Sequence, residues 1–446
     1  MTIKATPTAG LSYSPLDPHY FDADKLHMEL ERVFDICHGC RLCFNLCPSF
    51  PALFQSVDQY DGDVTRLTAA QTAHVVDTCY QCKVCYIKCP YTPDDGHEFQ
   101  LDFPRLMARA KAQRVRRRGL ALRERMLGNP DLIGRLATLL PGMAALTNLG
   151  NRIAPLRWLM EKVAGIHRHK ILPDLHAQSF QAWFDRQHGK RKLDGDNGKV
   201  FLFTTCFVNF NNPDVGKAAI AVFEKNNLTV KCDYKQCCGM PALDGGDVAT
   251  AQKLARANVA QLMPYVREGY TILAVNPTCS MMLRKEYPAL VGGEDARALA
   301  AAVMDPNEYL NTLRKDGRLN TDFRSTPGAI NYHVPCHLRA QNIGYRSRDM
   351  LRSIGGGTEV ELVAECCGHD GTWAMKKEFF EMSLHAGRKA FDGMRGEALM
   401  ATDCPLAALQ FQQATGTRPL HPLQILERAY RDDGFPTPVA PRPPES

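Results

Sequence analysis

The run CHGCRLCFNLCP sets Cys37, Cys40, Cys43 and Cys47 with two, two and three residues between them and closes on Pro48. Forty-two residues later CYQCKVCYIKCP repeats the pattern with Cys79, Cys82, Cys85, Cys89 and Pro90. Three thiolates two residues apart on a tight loop can wrap three irons of a cube, leaving the fourth iron to a cysteine from elsewhere. In two-cluster ferredoxins of this spacing, the fourth cysteine of each run serves the other cluster. The expected ligands are therefore Cys37, Cys40, Cys43 and Cys89 for one 4Fe-4S cluster, and Cys79, Cys82, Cys85 and Cys47 for a second. Zinc is the competing reading, but zinc sites rarely use four cysteines at this spacing with a proline after each run. Two clusters that exchange a ligand are necessarily close, an arrangement for passing single electrons. His38, His74 and His97 lie nearby without a ligand spacing and read as surface or packing residues.

A second kind of cysteine pattern follows. QCCGMP carries Cys237 and Cys238, and ECCGHD carries Cys366 and Cys367, 129 residues apart. A disulfide within either pair is disfavoured, because adjacent Cα atoms sit about 3.8 Å apart while ordinary disulfides span roughly 4.4 to 6.8 Å. Each pair is framed by single cysteines: Cys206 and Cys279 in the first copy, Cys336 and Cys404 in the second. The intervals from single cysteine to pair are 31 and 30 residues, and from pair to last cysteine 41 and 37. That registration favours two metal sites of four thiolates each over buried apolar filler. The glycine after each pair permits a positive-φ turn that lets backbone and thiolates approach one point. Cys232 has no counterpart and reads as a structural thiol.

The elements that must hold these residues alternate. KVFLFTTC and TILAVNPTC read as strands ending at Cys206 and Cys279, with LTVKC a strand before Cys237 and Cys238, separated by helices at Val215 to Lys225 and Asp247 to Arg267. AINYHVPC, VELVAECC and ALMATDC repeat the order. Alternation of strand and helix predicts parallel sheets, with ligands gathered beyond the carboxyl ends of the strands. The expected fold is α/β with an N-terminal α-helical, two-cluster ferredoxin-like domain and two repeated α/β halves. The expected boundaries are 1–104 for the ferredoxin-like domain, 105–198 for a basic and amphipathic helical connector, 199–312 for the first half, 313–328 for a linker, 329–430 for the second half, and 431–446 for a disordered tail containing PTPVAPRPPES.

Composition agrees with a globular protein of about three domains: 446 residues, 45% hydrophobic and 23% charged. The first 35 residues lack a basic start followed by an apolar core, so no secretory signal is expected. Seventeen cysteines then suit a reducing cytosol, where such clusters bind metal. No uninterrupted apolar run of about 18 residues exists to span a membrane. No GxGxxG loop opens a strand and helix, so neither flavin nor nicotinamide is expected in this chain.

The cysteine-rich front end, the two CCG halves, and the phrases CFVNFNNPDVGKA, PTCSMMLRKEYP, YHVPCH, CCGHDGTW and TDC resemble the family of iron-sulfur oxidoreductase subunits bearing CCG domains. That family embraces heterodisulfide reductase subunits and the iron-sulfur subunits of anaerobic glycerol-3-phosphate, glycolate and lactate oxidation. The resemblance implies a subunit that takes electrons from a partner flavoprotein dehydrogenase, of glycerol-3-phosphate or hydroxy-acid type, or from another redox protein. It implies delivery to a quinone or other acceptor, and up to two further iron-sulfur clusters in the CCG halves. Family members often end each half with CxxC. Here the last cysteines are followed by Met282 in CSMM and Ala407 in CPLA.

Between Arg105 and Arg125 stand nine basic residues against the single acid Glu124, in a chain of net charge +6. No recognition fold or aromatic interleaving accompanies them, so nucleic acid is not expected. The default reading is a solvated helix face. The stretch from Leu132 to Val163 has the character of amphipathic helices, which beside a basic flank can lie on an anionic membrane surface, pack between the domains or dock against another subunit. The expected location is the cytoplasm, with peripheral attachment to the inner membrane as its variant. Two other functions compete with electron transfer: an anchoring subunit whose CCG halves hold no redox metal, and a self-sufficient thiol or disulfide reductase.

Overall fold

A computed structural model describes residues 4–7, 13–189 and 193–435. The front of the chain is helical. Asp22 caps the helix Ala23–Cys40 by accepting from the N–H groups of Asp24 and Lys25, and a Thr68/Gln71 capping box starts Ala69–Thr78. These helices and Ser49–Asp58 close over a core containing Val33, Phe34, Phe50, Leu53 and Phe54. The following helix, Phe103–Arg118, contributes Phe103, Leu106 and Met107 to the same core, so it belongs with the front rather than with the connector.

Among the described residues seven strands form two parallel sheets: β1 Lys199–Phe203, β2 Thr229–Lys231, β3 Thr271–Ala274 and β4 Val303–Met304 in the order β2-β1-β3-β4, then β5 Ala329–His333, β6 Glu359–Val363 and β7 Leu399–Thr402 in the order β6-β5-β7. Val200 pairs with both Val230 and Thr271, and Ile330 with both Val360 and Leu399, so the central strands β1 and β5 hold equivalent places. The place of β4 is taken in the second sheet by one parallel bridge, Ala401 to Leu420. All of β5 and four of the five residues of β1 are buried, as parallel strands covered on both faces require.

The two halves share one core. Val200 and Leu202 of β1, Ile330 and Tyr332 of β5, and Ala401 of β7 lie in a single apolar cluster with residues of the helices Pro213–Lys225 and Pro422–Ala429. The helix Pro306–Lys315 runs across the expected boundary at 312. Residues 431–435 form a turn, and Phe435 packs on the shared core, which corrects the expectation of disorder there. PTPVAPRPPES itself lies outside the described residues.

The strands stop short of the cysteines. The sequence reading ran them to Cys206, Cys279, Cys336 and Cys404, but hydrogen-bonded pairing ends at Phe203, Ala274, His333 and Thr402. Cys206, Cys279 and Cys336 fall in short helices, Thr205–Phe210, Pro277–Met281 and Cys336–Arg339. Cys404 is the N-cap of Pro405–Thr415. The prolines at 277 and 405 explain two of these breaks, since each lacks a ladder donor and suits the first turn of a helix.

Candidate metal centres

Cys37 and Cys40 occupy the last turn of Ala23–Cys40, after which Arg41 turns left-handed at φ 53 and carries the chain back toward Cys43. Gln81 and Lys83, both at φ 61, do the same around Cys82. The result is two thiol groups. Burial, then the charges of Cys43, Cys89 and Cys40, drive Cys37 well above the ordinary thiol range. Burial, then Cys82, Cys47, Cys79 and Cys43, drive Cys85 up likewise. The chain thus brings Cys37, Cys40, Cys43 and Cys89 together, and beside them Cys47, Cys79, Cys82 and Cys85. Buried thiols raised in this way ionise only against a neutralising cation, so the donor set fits a thiolate-bound metal group. His38 pairs with Asp58 at 2.8 Å, and His97 accepts from the Phe99 N–H at 3.1 Å. Both are packing residues. His74 lies within the helix Ala69–Thr78, and its carbonyl accepts from the Thr78 hydroxyl at 2.7 Å.

The CCG halves are built alike at their turns. Gly239 and Gly368 have φ 91 and 71, and each directs its N–H back to the first sulfur of its pair, 3.5 Å to Cys237 and 3.2 Å to Cys366. A Cβ at Gly368 would stand 1.9 Å from the Ser383 carbonyl, so no larger residue fits there. In the first half the thiols form a chain: Cys206 with Cys237, Cys237 with Cys238, Cys238 with Cys279. Asp131, from the connector helix Pro130–Leu139, accepts the Cys237 N–H at 2.7 Å and the Tyr234 hydroxyl. Nothing in the sequence around Asp131 marks that role. Cys232 lies apart, within 3.5 Å of Thr204 and Gln181.

The second half is different in kind. Cys336, Cys366, Cys367 and Cys404 gather about Asp370, whose carboxylate stands 3.8 Å from the Cys336 sulfur and 3.8 Å from His337 Nε2. Burial, and then mutual repulsion, raises the carboxyl of Asp244 to about 7, and burial raises Asp370 to about 7. Burial holds Lys170, which donates to Gln410, down to about 7, with Cys367 close enough to oppose the shift. Ala407 lines this space, and its N–H reaches the Cys404 sulfur at 3.5 Å. Met282 beside the first site is fully buried.

The four groups are contiguous. Tyr80 sets its hydroxyl 3.1 Å from the Cys366 sulfur, and its ring lies 4.9 Å from that of Trp373, which donates to the Asp77 carbonyl at 3.0 Å. Cys47, Cys82, Cys336 and Cys366 share one apolar seam with those two rings. His337 ties the seam down, donating to the Gln81 carbonyl at 3.0 Å and accepting from the Thr278 hydroxyl at 2.9 Å. Cys404 of the second site is close enough to raise Cys279 of the first. The sequence reading missed Tyr80, Trp373, His337 and Asp370. Only the tail of CCGHDGTW, polar and aromatic directly after a vicinal pair, signalled any of them.

The basic run is mostly consumed by the fold, which overturns the reading of a solvated face. Arg109 is fully buried and donates to the carbonyls of Tyr20 and His19 at 2.8 and 2.7 Å. Lys111 holds the Cys79 carbonyl at 2.8 Å, Arg114 pairs with Asp77, Arg123 with Glu378, and Arg105 with Glu286. Arg116, Arg117, Arg118 and Arg125 remain exposed. Beside them lies an apolar strip. Of the 20 large hydrophobic side chains exposed among the described residues, 14 fall between Leu122 and Val163. Twelve lie in the helices Leu122–Leu127, Pro130–Leu139, Met143–Gly150 and Ala154–Ala164, and the other two, Leu140 and Ile153, cap two of them. No described helix is long and apolar enough to cross a membrane.

With this geometry the chain belongs to the family of iron-sulfur oxidoreductase subunits bearing CCG domains. Residues 200–284 and 330–412 match the CCG family, a cysteine-rich domain, and residues 30–117 match the Fer4-like domain of citrate utilization protein B. The chain is 29% identical over 326 residues to a subunit of the anaerobic glycerol-3-phosphate dehydrogenase of Escherichia coli (strain K12), covering 72% of this chain and 80% of that protein. It is 30% identical over 189 residues to lactate utilization protein A of Geobacillus kaustophilus, covering 40% of this chain and 75% of the relative. It is also 29% identical over 248 residues to a subunit of the fumarate reductase (CoM/CoB) of Methanothermobacter marburgensis, covering 53% of this chain and 47% of that relative. The chain is accordingly an iron-sulfur protein with a redox role in an oxidoreductase complex.

Proposed function

We propose that this chain is an electron-transfer subunit in which four metal centres stand in line, from the cysteines of the front end to an acceptor at a membrane surface. The observation that carries this reading is the seam at Tyr80, where a ligand of the second CCG site lies against the second front group. The order runs from Cys37, Cys40, Cys43 and Cys89, to Cys47, Cys79, Cys82 and Cys85, then to the second CCG site, and through Cys404 and Cys279 to the first. When bound, 4Fe-4S groups at the two front sites supply one-electron carriers. The protein holds them close, excludes water with Tyr80 and Trp373, and fixes the loops through His337 and Lys111. With no dinucleotide loop of its own, the chain receives electrons from a partner, a flavoprotein dehydrogenase of glycerol-3-phosphate or hydroxy-acid type.

The far end of the line points to the acceptor. Asp131 grips the first CCG site from the same helix that presents Leu132, Ile133, Leu136 and Leu139 outward. An apolar strip with Trp158 and four exposed arginines suits an interfacial, membrane-lying surface, and a quinone is the acceptor a lipid surface supplies. Iron analysis of anaerobically purified protein tests the centres. The front end alone accounts for about eight irons, and occupied CCG sites raise that number. Cys366→Ser should leave the front centres reducible while blocking delivery to a quinone. Iron no higher than the front end requires, with turnover intact in Cys366→Ser, would return the CCG halves to a docking role.

A further inference from the structure

We infer that the metal of the second CCG site takes the carboxylate of Asp370 as a ligand beside its cysteines, in the place left by the cysteine that Ala407 lacks. The inference rests on the reading of that half as a metal centre. Cys336, His337 and Asp370 present a sulfur, a nitrogen and an oxygen within 4.8 Å of one another. Ligands of one tetrahedral ion, with sulfur about 2.3 Å and oxygen about 2.1 Å away, stand ~3.6 Å apart. The observed Cys336 to Asp370 separation is 3.8 Å. His337 is already committed through both ring nitrogens, to Gln81 and Thr278, so it positions rather than ligates.

Asp370 accepts from the Cys336 thiol at 3.8 Å and stands 3.8 Å from His337 Nε2, and the thiol contact is one that ionisation of Cys336 on a metal would release. The Asp370 side chain is 5% exposed, and the neighbouring lysines are engaged elsewhere: Lys83 on Glu286, Lys111 on the Cys79 carbonyl. A buried carboxylate without a cation is costly unless a metal neutralises it. An independent sign of an occupant comes from His369, 1% exposed, which lines the same cavity with neither ring nitrogen in a hydrogen bond among the described residues. In the first half Met240 and Pro241 stand where His369 and Asp370 follow the second pair, and the carboxylate beside that site, Asp131, is held by the Cys237 N–H and the Tyr234 hydroxyl. An oxygen ligand, harder than thiolate, distinguishes the second centre chemically from the first.

The test uses the full chain, purified anaerobically and reconstituted with ferrous iron and sulfide. It is followed by iron analysis, electron paramagnetic resonance and X-ray absorption. Asp370→Asn is expected to weaken iron retention in the second half against a chelator at least tenfold and to remove oxygen scattering, with the front signals unchanged. Asp370→Cys should keep the iron and shift the signal and potential of that centre. Asp244→Asn alters the neighbouring carboxyl and should leave the spectrum alone. An Asp370→Asn protein that keeps the iron, spectrum and potential of the second half overturns the assignment. Cys336→Ser separates the two failures: iron lost there but not in Asp370→Asn sinks only the Asp370 ligand, while iron kept in both sinks the metal centre itself. Zinc in place of iron, still dependent on Asp370, preserves the ligand and refutes the electron-transfer role of that half.

Discussion

Replacing Leu139, Leu146 and Val163 together by serine tests where the chain meets lipid. These side chains are 70%, 63% and 69% exposed, so the fold itself loses little. Full burial of such a side chain contributes about 2 kcal/mol, and two thirds of it remains to be gained at an interface, or ~1.3 kcal/mol each. The triple variant therefore forfeits ~4 kcal/mol, several hundredfold in partitioning at about 1.4 kcal/mol per tenfold. Only four of the nine basic residues are exposed, each contributing ~1 kcal/mol near an anionic surface. Vesicle flotation over a salt series reads both contributions. The unaltered chain should stay largely bound to anionic vesicles as salt rises, because the apolar part is not screened, while the triple variant should bind only at low salt. Equal binding by the two proteins, or release of the unaltered chain by salt alone, would refute the reasoning.

Three other perturbations address the centres and the joint between domains. Cys47→Ser should disturb the resonance of the centre at Cys79, Cys82 and Cys85 while sparing that at Cys37, Cys40 and Cys43; the opposite outcome reverses the ligand exchange. Tyr80→Phe removes the hydroxyl on Cys366, and should lower the potential of the second CCG centre by roughly 40 mV in a spectroscopic redox titration, taking ~1 kcal/mol for the bond and about 59 mV per ~1.4 kcal/mol for one electron. Glu286→Gln breaks a buried pairing between the front loop and the first half. Burial alone would raise Glu286, but Lys83 and Arg105 outweigh it and hold the carboxyl at about 2. A depressed acid stabilises the fold fully above its unfolded value near 4.5 and ceases to as pH falls toward 2. Denaturant titration should show a loss of about 3 kcal/mol at pH 7 that shrinks across that window. No change at pH 7 would mean the pair is solvated.

The grouping of the cysteines was legible because it is written in short, local spacings, in two ferredoxin-like runs and two registered vicinal pairs. The parallel order of the strands followed from their alternation with helices. Other features depend on where distant segments meet. Arg109 and Lys111 look solvated in a basic run, and only the tertiary fold brings them under the carbonyls of Tyr20 and Cys79. Asp131 reaches Cys237 across 106 residues, and Tyr80 meets Cys366 across 286, separations at which no periodicity gives warning. The shared core of the two halves was hidden for a related reason. Each strand's apolar pattern states that it is buried and leaves open against what.

The seam at Tyr80 also sets a clock on synthesis. The second front loop is complete once Cys89 has emerged, but Cys366 and Trp373, which cover it, are made nearly three hundred residues later, Cys366 alone 286 residues after Tyr80. At 5 to 20 residues per second a ribosome needs about 15 to 60 s to supply them. For that interval Cys82 stands without its lid, open to iron donors and to oxygen alike. The layout thus favours loading the front of the chain before its end is made, and ties the yield of intact protein to how little oxygen the growing chain meets.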